Sequence, residues 1–221
     1  LLVVRPNGSD LIEITEHTED GLPSWSPDGK SLVFSSTRHG DRQSRIYVID
    51  SVPFDGTRAQ VRPLKSGLDD AHGAHPVWTS GGQIVYSGCD YGATPVHCGL
   101  LLIAAGPGSQ TPKPITDHPG DSAPDVEGQR VAFMSDRDGN LEIYAVNLDG
   151  SGLQRLTDSP AQDGLPAWAS DGRTLAFVSD EGGNWAVWAV DADGGNRRKL
   201  FDIGGGGLGA DWQQERIGWG P

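Results

Sequence analysis

The sequence is poor in the residues that build helices, membrane spans and cysteine frameworks. Its 221 residues include one Met and two Cys, against 32 Gly and 15 Pro. Abundant Gly and Pro favour many short strands joined by tight turns. No window carries a sustained helical period of apolar residues, so long amphipathic helices are not expected. The longest apolar run, residues 100–105, is far too short to span a bilayer, and membrane insertion is not expected.

Basic charge and nucleophile motifs are scarce as well. Asp and Glu number 30 against 17 Lys and Arg, which gives a formal net charge of −13 at pH 7. Nucleic acids and anionic membrane surfaces select basic patches, so neither is an expected partner. A Gly-x-Ser-x-Gly nucleophile elbow is missing, and so is a phosphate-binding glycine-rich loop before a helix. The sequence therefore favours a non-catalytic protein and predicts no catalytic residue.

The two cysteines bear on the cellular compartment. Cys89 and Cys98 flank a loop that contains Gly92 and Pro95, and a hairpin there would bring them to disulfide distance. The alternative is two free thiols in a cytosolic protein. We expect the disulfide, and hence an extracytoplasmic protein that is periplasmic, secreted or at the cell surface. The chain begins at Leu1 and not at Met, which we interpret as a mature or excised segment of a larger chain or assembly.

One motif recurs along the whole chain. Its fullest copies are GLPSWSPDGKSLVFSS at residues 21–36 and GLPAWASDGRTLAFVS at residues 164–179. Weaker copies begin at His75 and Ala123, and a half-copy begins at Ala210. The Trp position of the motif is occupied, in chain order, by Trp25, Trp78, Val126, Trp168 and Trp212. The spacings of 53, 48, 42 and 44 residues suit one four-stranded propeller blade each, and we expect the four Trp residues to pack between blades.

The turns and the two ends define the predicted fold. Asp149-Gly150 and Asp193-Gly194 separate alternating runs, which is a strong hairpin signal because Gly adopts the positive φ of these turns. Residues 1–15 match only the third and fourth strands of the repeat, and residues 209–219 match only the first and second. We therefore predict an all-β fold: a five-bladed β-propeller of four-stranded antiparallel blades, closed by a blade split between the termini. The chain is predicted to be a single domain over residues 1–221, with blades over about 16–65, 66–116, 117–157, 158–201, and 202–221 together with 1–15.

The repeat resembles that of a known family. The pattern Pro-x-Trp-Ser-Pro-Asp-Gly-Lys-x-Leu-x-Phe-x-Ser, with Ile-Tyr-Val downstream, is similar to that of the TolB-like (WD-repeat-like) β-propellers. The resemblance covers essentially the whole chain and is loosest in the second blade, which has a longer, cysteine-bearing loop. It implies a propeller and usually an extracytoplasmic setting. It implies no single activity, because propellers host many.

Polar residues concentrate on one predicted face. In a propeller, the loops that lead into the first strands share a face with the loops that join the second and third strands. All six His residues fall in such loops. The candidate ligand-binding residues on this His/Asp-rich face are His17, Asp20, Arg38, His72, His75, His118, Asp121, Arg137 and Asp163.

Two metal hypotheses arise from this face. Asp20, Asp121 and Asp163 occupy equivalent positions three residues before the Pro of the motif, and carboxylates around a channel mouth could bind Ca²⁺. The alternative is that each Asp caps its own loop. Imidazoles of His17, His72, His75 and His118 could bind Zn, Mn or Ni, and the alternative is that they are exposed loop residues.

The leading functional hypothesis is a binding or scaffold module that recognises a protein, peptide or glycan at the His/Asp-rich face. A second hypothesis is a metal-dependent lyase or hydrolase that acts on an acidic sugar, because some TolB-like propellers that cleave acidic sugars resemble this arrangement. A third is a structural domain of a larger secreted or surface assembly. No cofactor is required by the first or third hypothesis, and Ca²⁺ is the candidate ion.

Overall fold

The computed structural model describes residues 1–204 and 207–219, and its regular structure is almost entirely β. Strands β1 (Leu2–Val3) and β2 (Ile12–Glu13) form a small antiparallel pair at the N-terminus. Two short 3-10 turns, Glu181–Gly183 and Trp212–Gln214, are the helical elements of the described residues. None of these residues belongs to a helix with the length and apolar character needed to cross a membrane.

Four antiparallel units of four strands each follow the N-terminal pair, and we call them blades 1 to 4. Blades 1 and 2 are joined into one eight-stranded sheet by the pairing of Arg45 with His72, whereas blades 3 and 4 are separate sheets. Blade 1 contains β3 (Gly21–Trp25), β4 (Leu32–Ser36), β5 (Arg45–Ile49) and β6 (Val61–Pro63). The short strands β7 (Lys65–Ser66) and β8 (Asp69–Asp70) come next. Blade 2 contains β9 (His72–Trp78), β10 (Gln83–Asp90), β11 (His97–Ala104) and β13 (Lys113–Pro114), with β12 (Ser109–Gln110) paired to β7.

The last two blades repeat the same order. Blade 3 contains β14 (Ser122–Glu127), β15 (Arg130–Ser135), β16 (Glu142–Asn147) and β17 (Gln154–Arg155). Blade 4 contains β18 (Asp163–Trp168), β19 (Thr174–Ser179), β20 (Ala186–Asp191) and β21 (Arg198–Asp202). Antiparallel units of four strands are what the repeat predicted, and they are consistent with a propeller.

The blades stack face to face in chain order, with an apolar layer in each gap. One layer joins β1 and β2 to blade 1, and the next three join blades 1 and 2, blades 2 and 3, and blades 3 and 4. The middle strands of blades 1 to 3 are largely buried because each of these blades is covered on both faces, whereas β20 of blade 4 is only partly buried. Strands β4 and β5 are buried along their whole length for this reason.

The first strand of each blade carries the same local distortion. One residue in each has a left-handed backbone with φ between +48° and +54°, and each of these residues precedes a Pro: Leu22, His75, Ala123 and Leu165. The pairing register shifts at the same place in all four blades, which is the signature of a β-bulge. The repeat therefore encodes a bend in the strand nearest the centre.

The predicted disulfide is present. Cys89 and Cys98 are directly opposite each other on β10 and β11, and their sulfur atoms are bonded. The pair closes the end of the longest hairpin of blade 2, as the cysteine spacing indicated.

The predicted pairing of the two termini is absent from the described residues. Residues 207–219, which we call the C-terminal segment, contain a 3-10 turn and no strand, and they do not pair with β1 or β2. Gly207 and Gly209 weaken any strand there because glycine has no side chain to pack. Trp212 instead packs against the apolar layer between blades 3 and 4.

The prediction for Trp25 was wrong. Its side chain is 43% exposed and stacks on the exposed ring of Phe54, with centroids 6.3 Å apart. The gap on that side of blade 1 is filled only by β1 and β2, which leave the end of β3 uncovered. Trp168 is buried between full blades, as predicted, and Trp78 is half-buried against the layer between blades 1 and 2.

Candidate functional site

Three open cavities lie side by side on one face of the stacked blades. We call this the mouth face, defined as the end at which β3, β9, β14 and β18 begin. Cavities A, B and C have volumes of about 250, 390 and 410 Å³. Cavity A lies between blades 1 and 2, cavity B between blades 2 and 3, and cavity C between blades 3 and 4.

The cavities are lined mainly by small and uncharged polar residues. Cavity A is lined in part by Gly21, Ser36, Ser44 and Ala74. Cavity B is lined in part by Gln43, His72, Tyr91, Asp121, Ser122 and the disulfide. Cavity C is lined in part by Ser122, Asp136, Asn140 and Gln162. Such surfaces offer hydrogen bonds and close approach to backbone, which suits an extended polar ligand.

The equivalent aspartates of blades 1 and 3 are each paired with an arginine of the same blade. Asp20 receives hydrogen bonds from Arg38 at 2.6 and 3.3 Å, and both carboxylate oxygens of Asp121 lie 2.8 Å from Nη2 of Arg137. Both carboxylates are fully buried. Burial alone would raise the pKa of Asp20, but hydrogen bonds from Arg38 and neighbouring hydroxyl groups outweigh it and lower the pKa.

Each arginine also covers the aromatic rings of its own blade. The Arg38 guanidinium lies 5.3 Å from the ring centroid of Phe34 and 4.7 Å from that of Tyr47. Arg137 lies over Phe133 and Tyr144 in the same way, at 5.6 and 4.9 Å. The carboxylate, the guanidinium and the two rings therefore form one buried unit that is repeated in two blades.

Blade 4 assembles the same unit from a different arginine. Position 181, equivalent to Arg38 and Arg137, is a glutamate, and Arg197 reaches in to bind both Asp163 at 3.1 Å and Glu181 at 2.7 Å. Arg197 also lies over Phe177 and Trp188. Burial dominates at Asp163 and raises the pKa of its carboxyl to about 6, although Arg197 and Ser179 act to lower it.

Blade 2 has lost both members of the pair. Gly73 stands at the aspartate position and Asp90 at the arginine position. A Cβ atom on Gly73 would overlap the carbonyl oxygen of Ser87, and one on Gly88 would overlap that of His72. Close backbone packing and the Cys89–Cys98 disulfide therefore hold this end of blade 2, and cavity B opens above them.

These contacts give the calcium hypothesis no support. Asp20, Asp121 and Asp163 are each neutralised by a separate guanidinium. Within residues 1–204 and 207–219, no group of three or more His, Cys, Asp or Glu side chains is placed to hold a metal ion. The three aspartates are each paired with an arginine, which differs from the loop capping that was the other sequence-based interpretation.

The histidines of the mouth face have separate surroundings. His17 is exposed, and His72 lies 3.4 Å from Asp69 and edge-on to Tyr91 in cavity B. The Nδ1 atom of His118 accepts a hydrogen bond from the Gly120 amide and lies 3.6 Å from Asp121. The structure thus brings no set of these imidazoles to a common point among the described residues, and the transition-metal hypothesis has no support.

His75 is the exception in burial and lies at the centre. It is buried, and its Nε2 atom lies 3.0 Å from the carbonyl oxygen of Gln213 in the C-terminal segment. Since a carbonyl can only accept, Nε2 carries the proton, and Nδ1 is buried with no hydrogen-bond partner among residues 1–204 and 207–219. Burial, followed by the positive charge of Arg216, lowers the pKa of His75 to about 4. His75 is therefore neutral at pH 7.

The C-terminal segment supplies the residues that sequence reasoning missed. Arg216 donates hydrogen bonds to the carbonyl oxygens of Pro23 at 3.2 Å and Pro76 at 2.9 Å. It shares a small cavity with Asp125, whose carboxylate accepts a hydrogen bond from the Trp168 amide at 2.7 Å. The half-copy of the motif marked this segment as part of the repeat, but no local signal indicated that it would contact the first strands of blades 1 and 2.

The repeat and the fold both match known proteins. Residues 111–215 match the family model described as TolB beta propeller domain. The Tol-Pal system protein TolB of Desulfosudis oleivorans is 44% identical over 48 residues, which are 22% of this chain and 11% of that protein. The uncharacterized peptidase YuxL of Bacillus subtilis is 26% identical over 155 residues, which are 67% of this chain and 20% of that protein. The chain therefore corresponds to a small part of the curated relatives that it matches.

Solved structures share the fold at lower identity. A putative TolB from Agrobacterium tumefaciens superposes with a TM-score of 0.67 and 24% identity, covering 89% of this chain and 70% of that one. An oligogalacturonate lyase in complex with manganese superposes with a TM-score of 0.58 and 16% identity, covering 91% of this chain and 58% of that one. The resemblance to the TolB-like β-propeller family predicted from the repeat is therefore confirmed.

Proposed function

We propose that this chain is a non-catalytic binding module whose ligand lies across cavities A, B and C of the mouth face. The observation that carries the proposal is the row of three adjoining open cavities, one at each junction between neighbouring blades. A ligand that spans them must be extended and rich in hydrogen-bonding groups. A peptide or a segment of a partner protein has this chemistry, and a glycan is the other candidate.

The paired aspartates and arginines serve the scaffold in this proposal, and the ligand contacts come from other residues. Arg38, Arg137 and Asp163 are satisfied within their own blades. The groups available to a ligand include Tyr91, which is 61% exposed beside cavity B, and the side-chain amide nitrogen of Gln162 in cavity C, whose Oε1 atom accepts a hydrogen bond from the Leu141 amide. Aromatic and amide groups of this kind recognise peptides through stacking and hydrogen bonds.

The proposed setting is extracytoplasmic. A disulfide at the end of an exposed hairpin persists in an oxidising compartment such as the periplasm or the cell exterior. The bond between Cys89 and Cys98 and the match to Tol-Pal system protein TolB both fit this setting. We propose a protein partner in preference to a glycan, because that relative is named as a protein of the Tol-Pal system.

We also propose a single propeller domain over residues 1–221 with five blade positions. Blades 1 to 4 fill four positions, and β1 and β2 stack on blade 1 as the outer half of the fifth. The inner half of that blade is not paired in the described residues, because the C-terminal segment follows the channel instead. We propose that the five blade positions have the residue limits predicted from the repeat.

Two alternatives carry less support. A metal-dependent lyase has the likeness to oligogalacturonate lyase in complex with manganese in its favour. However, His17 is exposed, and His72, His75 and His118 each have a separate partner. A purely structural domain would leave the three cavities without a role. No observation favours either over a binding module.

The test is a screen of the purified chain against arrays of defined peptides and of oligosaccharides that include oligogalacturonate. We expect peptide hits whose Kd rises about tenfold or more in Tyr91→Ala and in Gln162→Ala. The matched control is Gln129→Ala, which lines a cavity at the opposite end of the blades. Peptide hits whose Kd is the same in the wild type, Tyr91→Ala and Gln162→Ala would contradict the proposal. Cleavage of oligogalacturonate with added Mn²⁺ would favour the lyase.

A further inference from the structure

The C-terminal segment touches the first strand of every blade. Gln213 meets His75 of β9, and Arg216 meets Pro23 of β3 and Pro76 of β9. Arg216 and Ile217 share a small cavity with residues of β14 and β18. A segment that reaches all four first strands must lie along the axis around which the blades are arranged. It therefore fills the central channel.

An apolar anchor fixes the segment at one side. Trp212 is buried and packs against Trp185, with ring centroids 4.7 Å apart. Its indole lies against Gly164, where a Cβ atom would stand 2.5 Å from the ring. The seat for this ring therefore exists only because position 164 has no side chain.

Polar contacts fix the segment at its centre. Arg216 is largely withdrawn from water, and burial lowers the pKa of its guanidinium while the charge of Asp125 raises it. Hydrogen bonds to two carbonyl oxygens and the nearby carboxylate compensate the buried charge. His75 adds a hydrogen bond to the backbone of the segment.

The segment is nevertheless held without any β-pairing. Its backbone hydrogen bonds run within the segment, from Gln214 to Asp211 and from Glu215 to Trp212. Gln213, Gln214 and Glu215 are exposed, and the first two line cavities C and A of the mouth face. Release of the segment would expose the buried Trp212 ring and break a few side-chain contacts. It would not require any β-strand pairing to be broken.

We propose that residues 207–219 act as an intramolecular plug, which closes the channel at the mouth face and must be displaced by any ligand that enters the channel. The displacement by a ligand rests on the proposed function, whereas the plug itself does not. The plug is specific in chemistry: a Trp for the Gly164 seat, a backbone carbonyl for His75, and an Arg for the two proline carbonyls.

The test uses the full chain and a synthetic peptide, GLGADWQQERIGW, with the sequence of residues 207–219. The variant Trp212→Ala/Arg216→Ala removes both anchors. Asp211→Ala is the matched control, because its side chain is exposed and makes no capping hydrogen bond. Hydrogen exchange of residues 207–219 reports release, and exchange of β15 and β16 reports that the fold is intact.

We expect exchange of the segment to accelerate at least tenfold in the double variant and to stay unchanged in the control. The labelled peptide should bind the double variant saturably and bind the wild-type chain at least tenfold more weakly, because there the channel is occupied. Equal binding to both, binding to neither with β15 and β16 still protected, or a segment already in fast exchange in the wild type would overturn the plug. This experiment uses no ligand of the mouth face. Its failure is therefore distinguishable from a failure of the peptide and oligosaccharide screen.

Discussion

At the scale of single residues, the buried carboxylates explain much of the polar character of the mouth face. A fully buried aspartate needs a partner, because an unpaired buried charge costs several kcal/mol. Blades 1 and 3 take that partner from the same repeat position, at Arg38 and Arg137. Blade 4 replaces that position with Glu181 and recruits Arg197. Three blades thus build the pair by two different local solutions, and blade 2 replaces it with close backbone packing and the Cys89–Cys98 disulfide.

Removing one partner of such a pair should be costly. We expect Arg137→Ala to lower the free energy of unfolding by about 3 kcal/mol, because Asp121 is left buried and uncompensated and two aromatic rings lose their cover. Chemical denaturation measures the change. The control is Arg5→Ala, since Arg5 and Asp10 form a half-exposed pair whose loss should cost less than about 1 kcal/mol. Equal losses would contradict the structural role of Asp121.

The repeat showed that Asp20, Asp121 and Asp163 occupy equivalent positions. It indicated the arginine partners of only two of them. Arg38 and Arg137 stand at equal positions, four residues after Phe34 and Phe133, and this spacing was the available signal. Arg197 could not be found in this way because it comes from the connection between β20 and β21, which is not the repeat position of Arg38 and Arg137. Sequence spacing predicts contacts that recur at the same position of each repeat. It does not predict a contact in which one blade uses an arginine from a different position.

His75 should make stability depend on pH. Its pKa is 6.5 in an unstructured chain and about 4 in the fold, so between these values the unfolded state binds a proton that the folded state excludes. Stability is therefore full above pH 6.5 and is lost as the pH falls towards 4, by about 3 kcal/mol for this group. His75→Gln keeps a donor for the Gln213 carbonyl and should remove this dependence.

The measurement is the unfolding free energy from pH 7.5 to 4 in both proteins, read as a difference. The difference is needed because Asp163 works in the opposite direction: its raised pKa of about 6 gives stability that is present at low pH and is lost as the pH rises through 6. A wild-type minus variant difference that stays flat over this range would show that His75 is protonated in the fold without penalty.

At the scale of elements, the repeated bulge in the first strands is a feature that pattern reading did not reveal. Strand alternation and Asp-Gly turns predicted the hairpins, because these signals lie within a few residues of the structure they encode. The left-handed backbone was not predicted because the feature shared by Leu22, His75, Ala123 and Leu165 is the following Pro, which does not by itself indicate a positive φ. Only the geometry of four blades meeting near one axis reveals it.

Glycine should be tolerated at the bulge. In Ala123→Gly, relief of a left-handed alanine by about 1–2 kcal/mol offsets the flexibility cost of glycine and the lost methyl group. We expect an unfolding free energy within about 0.5 kcal/mol of the wild type. Ala132→Gly is the control, because Ala132 is buried in β15 outside the left-handed region, and it should lose about 1–2 kcal/mol. Similar losses in both variants would contradict the role of the bulge.

The disulfide should stabilise blade 2 in proportion to the short loop it closes. We expect Cys89→Ala/Cys98→Ala to lower the unfolding free energy by about 2–3 kcal/mol. Thermal unfolding with and without reductant checks this: the wild-type Tm should fall in reductant, and the Tm of the variant should not move. A wild-type Tm that resists complete reduction, with both thiols titrated afterwards, would show that the bond adds no stability.

At the scale of the whole molecule, the stacking of blades follows from the repeat, but the filling of the channel does not. Each blade buries its middle strands against its neighbours, so a chain of similar units must stack in order. The half-copy at residues 210–219 suggested that the ends would pair in the same manner. Its glycines and its buried Trp212 favour the channel instead, which is a competition between two tertiary environments that local sequence cannot decide.

Position 164 allows that competition to be tested without altering the C-terminal segment. A Cβ atom on Gly164 would lie 2.5 Å from the Trp212 ring and 3.1 Å from the sulfur of Met134, whereas one on Gly21, at the same repeat position in blade 1, would meet nothing within 4 Å. Gly164→Ala should therefore push the ring from its seat and accelerate hydrogen exchange of residues 207–219 at least tenfold. Gly21→Ala should leave that exchange unchanged. If both variants exchange like the wild type, Trp212 does not anchor the segment, and the channel must be held closed by Arg216 and His75 alone.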